Sequence, residues 1–319
     1  MATKDFRVVR DGVADDSLRG AVVAIGNFDG VHRGHRAVIA AALARARAAG
    51  KKAVALTFEP HPRAFFRPGE TLFRLTDEPA KLRLLAAAGL DGAIVLTFDA
   101  ALAGLSAADF IARVLVERFA ISGAVIGFNF HFGKGRLGTP DLLVAEGRKF
   151  GFTVDIVPPF EEDGRAVSSG PIRAALQAGD VAAAADLLGY PWFVSSVVRH
   201  GDKRGREFGF PTANLDVPAG IGLRHGIYAV RVGVGGRRYD GVASFGRRPM
   251  FDDGAVLLEV FLFDFSGDLY GKSVDVAFIG WIRDQETFPS TSALIARMKE
   301  DSRLARAALA AAGDLFPPI

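Results

Sequence analysis

Apolar residues in the first 190 positions come in short runs at 21–25, 52–58, 93–98, 124–127 and 153–157, each bounded by turn residues. Such runs, rich in Val and Ile, predict short strands, and unbroken ones fit a sheet covered on both faces. Between them the spacing turns helical, over 35–49, 79–88, 107–119 and 141–150. Ser106 followed by Asp109 supplies a capping box for the third helix. This alternation predicts an α/β half with a parallel sheet, helices on both faces and ligands at the carboxyl ends of the strands. Two alanine-rich helices, 171–178 and 181–188, close it.

The pattern changes after Tyr190-Pro191-Trp192. From 193 to about 282 there are short runs rich in Val, Phe and Tyr, such as 227–234, 239–244, 257–264 and 274–279, separated by Gly, Asp and Pro. Regular short strands with turn signals predict a small antiparallel barrel. The chain ends in a helix over 292–312, whose apolar face is Leu294, Ile295, Met298, Leu304, Ala308 and Leu309. The expected domains are therefore 1–188 and 189–319. With 319 residues, each has enough chain for its own core.

Composition narrows the function classes. There is no cysteine, which excludes disulfides, zinc-thiolate sites and a thiol nucleophile. No apolar run is long enough to span a bilayer, and Met1–Arg7 lacks the apolar core of a secretion signal. A cytoplasmic protein without membrane partners is expected. The net charge of +3 suits small anionic substrates and is too small to argue for nucleic acid. Basic residues concentrate only at Arg199, His200, Lys203, Arg204 and Arg206, interleaved with Gly201, Gly205 and Gly209, a composition suited to phosphate.

The chemistry is most visible at Gly26-Asn27-Phe28-Asp29-Gly30-Val31-His32-Arg33-Gly34-His35, between the first strand and the first helix. A Gly-rich turn lets the backbone approach a ligand, and the helix start favours an anion. His32 and His35, three residues apart, are expected to point to the same place, where they suit the α-phosphate of a nucleotide. At the end of the second strand, Thr57-Phe58-Glu59-Pro60-His61-Pro62 predicts an extended loop fixed by its prolines. There His61 reads equally as a ligand contact or as a packing residue. The segment 127–139 brings Phe128, Phe130 and Phe132 together with Lys134 and Arg136, a flexible cationic loop suited to a flat ring or a phosphate. Ser168-Ser169-Gly170-Pro171-Ile172-Arg173 reads as a helix N-terminus able to hold polyphosphate, though an ordinary Ser cap has the same form. In the second half, Gly205-Arg206-Glu207-Phe208-Gly209-Phe210-Pro211-Thr212-Ala213-Asn214 reads as a turn presenting Thr212 and Asn214 on one side of an extended chain. Their oxygens can hold Mg²⁺ against ATP phosphates, and a plain Asx or Thr turn is the competing reading.

These segments together resemble the bacterial bifunctional riboflavin kinase/FAD synthetases. His32-Arg33-Gly34-His35 matches the His-x-Gly-His motif of nucleotidyltransferases, which class I aminoacyl-tRNA synthetases share in related form. Phe58–Pro62, Arg74-Leu75-Thr76, the 127–139 loop and Gly209–Asn214 also match the family, and glycine stands at position 170 where the family carries threonine. The resemblance implies a Rossmann-like nucleotidyltransferase domain with a parallel sheet, followed by a small antiparallel β-barrel riboflavin kinase domain and a C-terminal helix.

It also implies site residues. In adenylyl transfer, His32 and His35 are catalytic; Gly26, Asn27, Phe28, Asp29, Ser168, Ser169 and Arg173 bind ATP; Phe58, Pro60, His61, Pro62, Asn129, Phe130 and Arg136 bind flavin. In the kinase, Glu259 is the general base, and Gly205, Arg206, Gly209, Pro211, Thr212 and Asn214 bind ATP. There Thr212 and Asn214 hold Mg²⁺, and Arg283 and Phe288 bind flavin. ATP, riboflavin and FMN are the implied substrates, nucleic acid is not expected, and self-association stays open. Ser244, Met250, Gln285 and Thr287 depart from the family pattern, which leaves an alternative: a monofunctional FAD synthetase whose barrel is a flavin-binding regulatory module. A tRNA-charging or nucleic-acid-binding protein is the other competitor, suggested by the histidine motif and mild basicity alone.

Overall fold

The computed structural model describes residues 5–11, 16–162, 164–200, 209–247 and 256–319. Contacts divide the chain into two compact units between Ser168 and Ser169.

The first unit is built on a six-stranded, all-parallel sheet in the order β1-β4-β3-β2-β5-β6. Its strands are β1 (Arg7–Arg10), β2 (Val22–Ile25), β3 (Ala53–Glu59), β4 (Gly92–Thr97), β5 (Gly123–Gly127) and β6 (Thr153–Val157). The central strands β2 to β5 are buried almost throughout, which is why they read as unbroken apolar runs. Edge strand β1 buries only Val9 of its four residues, leaving no apolar run to signal it.

Helices α1 (Arg33–Ala49), α2 (Pro62–Phe66), α3 (Glu78–Ala87) and α4 (Ala100–Gly104) connect the strands. The helix expected over 107–119 opens as one α-turn, α5 (Ala107–Asp109), and continues as a wider π-helix over Phe110–Arg118. Its cap forms as expected: Ser106 Oγ accepts the Asp109 N–H at 3.0 Å and donates to the Asp109 carboxylate at 2.7 Å. Helix α6 (Pro140–Phe150) follows, and a two-residue hairpin, β7 (Glu161–Glu162) with β8 (Arg165–Ala166), ends the unit. The strand order reverses at β2, which pairs with β3 on one side and β5 on the other. The crevice at the carboxyl ends of β2 and β5 is therefore the natural ligand position.

The second unit opens with α7 (Ser169–Ala178) and α8 (Val181–Leu188). Sequence pattern groups these helices with the first half, but their contacts group them with the barrel. Leu176 and Ala178 accept hydrogen bonds from Arg224, and Gly179 sits against the Trp281 ring. The barrel is closed and antiparallel, in the order β10-β13-β12-β11-β14-β9. It comprises β9 (Phe193–Arg199), β10 (Thr212–Asp216), β11 (Gly226–Val234), β12 (Arg237–Arg247), β13 (Val256–Leu262) and β14 (Ser273–Arg283). Helix α9 (Thr291–Ala311) covers it through Ala305 and Leu309, which pack with Ala229 and Phe263. The buried stripe of α9 is Asp301, Ala305 and Leu309, four residues apart, so of the expected apolar face only Leu309 is buried, and Leu294, Ile295, Met298, Leu304 and Ala308 are half-buried.

Candidate functional sites

The turn after β2 is a strained segment held by burial. Phe28 (φ 49°) and Val31 (φ 35°) both adopt left-handed backbone and are 1% and 0% exposed. Such conformations cost on the order of 1–3 kcal/mol each and persist where surroundings fix them. A side chain at Gly34 would be crowded, since a Cβ would lie 3.1 Å from the Val167 carbonyl oxygen and 3.2 Å from the His32 ring. His32 caps α1, its Nδ1 accepting the His35 N–H at 3.3 Å. The two imidazoles stack with centroids 3.7 Å apart and planes 19° from parallel, and the His35 ring meets Phe28 edge-on. Burial, then the neighbouring His32 and Lys81, hold His35 well below the ordinary histidine range, and its Nδ1 is buried with no hydrogen-bond partner among the described residues.

Two of the expected ATP contacts lie in the interior of this turn. Phe28 is a packing residue. Asp29 is 3% exposed, and its Oδ1 accepts the N–H groups of Leu75 at 2.9 Å and Thr76 at 3.1 Å. Gly30 N–H returns a bond to Thr76 Oγ1 at 3.1 Å. Asp29 thus ties the turn to Arg74-Leu75-Thr76. Asn27 uses its carbonyl oxygen, which accepts from Thr57 Oγ1 at 3.2 Å and Lys81 Nζ at 3.4 Å.

The segment after β3 departs from the expected extended loop. Glu59-Pro60 is cis, and Pro62 starts the short helix α2 rather than prolonging the loop, because proline suits a first helical position. His61 caps that helix, its Nδ1 accepting the Arg63 N–H at 3.1 Å. Phe58, expected to bind flavin, is 8% exposed and belongs to the core. Phe65 and Phe66, which the sequence reading passed over, are exposed and form an aromatic cluster with Phe98. Their adjacency beside two prolines was the available signal.

The 127–139 loop is pinned rather than flexible. Phe132 and Gly138 exchange both backbone hydrogen bonds, and Lys134 N–H donates to the Leu105 carbonyl at 2.7 Å. Phe132 is buried against Phe110, Phe130 is half-buried, and Asn129, Lys134 and Arg136 stand exposed at the rim. Ser168 is the last residue of the first unit, and Ser169 and Arg173 lie in the first turns of α7.

Beneath the turn lies a group that sequence reasoning missed. Lys81, on α3, is 2% exposed, and its Nζ donates to Glu59 Oε1 at 2.6 Å and Thr57 Oγ1 at 3.2 Å. Glu59 also takes a two-pronged bond from Arg74, at 2.9 and 2.7 Å. Burial pushes Lys81 below its ordinary value despite the Glu59 charge. Burial opposes the Glu59 charge too, but Lys81 and Arg74 outweigh it and hold that carboxyl below the usual range.

In the barrel, Thr212 and Asn214 lie on a strand, β10, and not in a turn. They alternate with the buried Ala213 and Leu215, so both occupy the opposite face. Asn214 sits directly across from Glu259 of β13, which is across from Ser244 of β12. The register thus sets the proposed metal-binding amide, the proposed base and a hydroxyl side by side on three neighbouring strands. Gln285 donates to Ser244 Oγ at 3.4 Å. Gly209 (φ 82°) and Pro211 are exposed just before β10, while Gly205, Arg206 and Met250 lie outside the described residues.

Arg283, expected to bind flavin, takes part in an ion pair. Its guanidinium forks onto Asp301 of α9 at 2.8 and 2.6 Å, with 10% and 5% side-chain exposure, and lies 5.7 Å from the Phe288 ring. It fastens α9 to the barrel.

Comparison with known proteins agrees with this two-unit geometry. The family model for FAD synthetase matches residues 14–171, and that for riboflavin kinase matches 188–309. A bifunctional riboflavin kinase/FMN adenylyltransferase of Pseudomonas fluorescens is 41% identical over 296 residues, covering 91% of this chain and 93% of that protein. Those of Escherichia coli K12 and Bacillus subtilis are 38% and 36% identical, covering 90% and 89% of this chain and 92% and 90% of their own. A crystal structure described as a macrolide-efflux protein from Streptococcus pneumoniae superposes with a TM-score of 0.84 at 31% identity, over 95% of this chain and 99% of that one. The chain belongs to the bifunctional riboflavin kinase/FMN adenylyltransferase family and carries both of its domains.

Proposed function

We propose that this member of the family makes FAD in two steps, residues 189–319 carrying the first and residues 1–188 the second. The barrel transfers the γ-phosphate of ATP to the riboflavin 5′-hydroxyl. Glu259 accepts that hydroxyl's proton as the oxygen attacks phosphorus, and ADP leaves. In the α/β unit the FMN phosphate attacks the α-phosphate of a second ATP, forming FAD and releasing pyrophosphate. His32 and His35 stabilise charge on the phosphates in transit, with no covalent intermediate. Asn27 and Ser168 hold the nucleotide. Pro60, His61, Pro62, Asn129, Phe130 and Arg136 border the flavin.

The observation that carries the reading is the coexistence of the stacked His32–His35 pair at the sheet's switch point with the Asn214–Glu259 register in the barrel. Half-buried Thr212 and Asn214 supply the neutral oxygen donors that Mg²⁺ accepts alongside phosphate, so the residues fit that ion. When bound, it neutralises charge on the ATP phosphates. The retained Asn214–Glu259 register favours a working kinase over the regulatory-barrel alternative. No helix among the described residues is long and apolar enough to cross a membrane.

Position-specific labelling tests the two transfers. Phosphate from γ-labelled ATP should appear in FMN when riboflavin is supplied, and that from α-labelled ATP in FAD when FMN is supplied. Label from the α-position in FMN would refute the assignment.

A further inference from the structure

Lys81 is an ammonium kept almost entirely from water, which is costly unless every proton finds a partner. A methionine would fill a similar volume without that cost, so packing of α3 alone gives no reason for a charge here. Its three hydrogen bonds go to Asn27 O in the nucleotide turn and to Thr57 Oγ1 and Glu59 Oε1 at the end of β3. Glu59 immediately precedes Pro60-His61-Pro62, and both its oxygens accept from Arg74. Arg74 adjoins Leu75 and Thr76, which are tied back to the turn through Asp29 and Gly30. The contacts close a ring: turn, Thr76, Arg74, Glu59, Lys81, turn. Within it, Lys81 touches both the nucleotide turn and the carboxylate that opens the flavin-side segment.

We propose that Lys81 is a positioning residue for FMN adenylylation, its buried ammonium holding the nucleotide turn and the flavin-side segment in register with each other. The inference rests on the adenylyl-transfer reading of this turn. Lys81 is 2% exposed and acts through the segments it ties. Each substrate keeps its own segment when the tie is cut, but the alignment of the two is lost. The defect should therefore fall on kcat rather than on KM, since misplacement by an ångström is enough to cost about 10²-fold.

The test uses the full chain with Lys81→Met, Lys81→Arg, Glu59→Gln and the Lys81→Met/Glu59→Gln double variant. FMN adenylylation, riboflavin phosphorylation and stoichiometric ATP binding are measured on each preparation. For Lys81→Met the expected result is a kcat for adenylylation lower by about 10²-fold, with KM for ATP and FMN each within about threefold. Kinase activity and binding stoichiometry should be unchanged, and Lys81→Arg should recover most of the rate. The double variant should lose less than the product of the two single losses, because both substitutions break one ring. Full adenylylation by Lys81→Met, or a loss confined to KM, overturns the proposal. If Lys81→Met does not fold, Glu59→Gln carries the test, with a smaller kcat loss at unchanged KM. Wild-type chain unable to make FAD from FMN would instead refute the underlying reading.

Discussion

His32 and His35 stack face to face, 3.7 Å between centroids, with the lone pair of His32 Nδ1 already engaged by the His35 backbone N–H. Burial and the nearby positive groups make protonation of His35 unfavourable in the fold. Its folded pKa lies below the unfolded one, so between them the unfolded chain binds more protons and stability rises with pH. The contribution is lost as pH falls from about 6.5, the unfolded histidine value, toward the folded pKa. Denaturant melts of the wild type and His35→Gln across that window should show a slope on the acid side that the variant lacks. Parallel curves would contradict the buried-neutral description.

His32→Ala or His35→Ala should each lower FAD formation from FMN by about 10²–10³-fold, the range for removing a preorganised charge stabiliser. Riboflavin phosphorylation by the same preparations should stay within about twofold of wild type. Equal loss of both activities would mean that the two units do not divide the work.

Glu259→Gln should do the reverse, because an amide cannot accept the riboflavin proton. Phosphorylation should fall about 10²-fold or more while FMN is still converted to FAD. Wild-type phosphorylation by this variant would remove Glu259 from the role its register with Asn214 suggests.

Asp301→Asn should destabilise the barrel unit by about 3 kcal/mol, since it leaves the Arg283 guanidinium buried beside a neutral amide. Chemical denaturation followed by Trp fluorescence reads this out, Trp192 and Trp281 both lying in that unit. A change below about 0.5 kcal/mol would show that the pair does not fasten α9.

Much of this fold is legible in sequence for a simple reason. Strands β2 to β5 are buried on both faces, so their apolar runs stand out, and β6 coincides with the predicted 153–157. What stays hidden depends on contacts distant in the chain. Strand β1 buries one residue, and α2 hides behind two prolines that read equally as loop. The histidine pair was visible from its spacing. Lys81 was not, because a lysine in a helical stretch looks solvated until Glu59, 22 positions away, is placed against it. Asp301 interrupts the apolar stripe of α9 for the same reason, its partner Arg283 lying on β14. Arg283 matched a family position, and only the geometry places it in an ion pair.

The central claim is that one chain performs both steps. Purified protein incubated with riboflavin, ATP and Mg²⁺, with a parallel reaction started from FMN, and the flavins resolved over time, tests it most directly. The account predicts that riboflavin passes through FMN to FAD and that FMN alone yields FAD. FAD formed from FMN, with riboflavin left untouched, would contradict it and identify the barrel as a flavin-binding appendage.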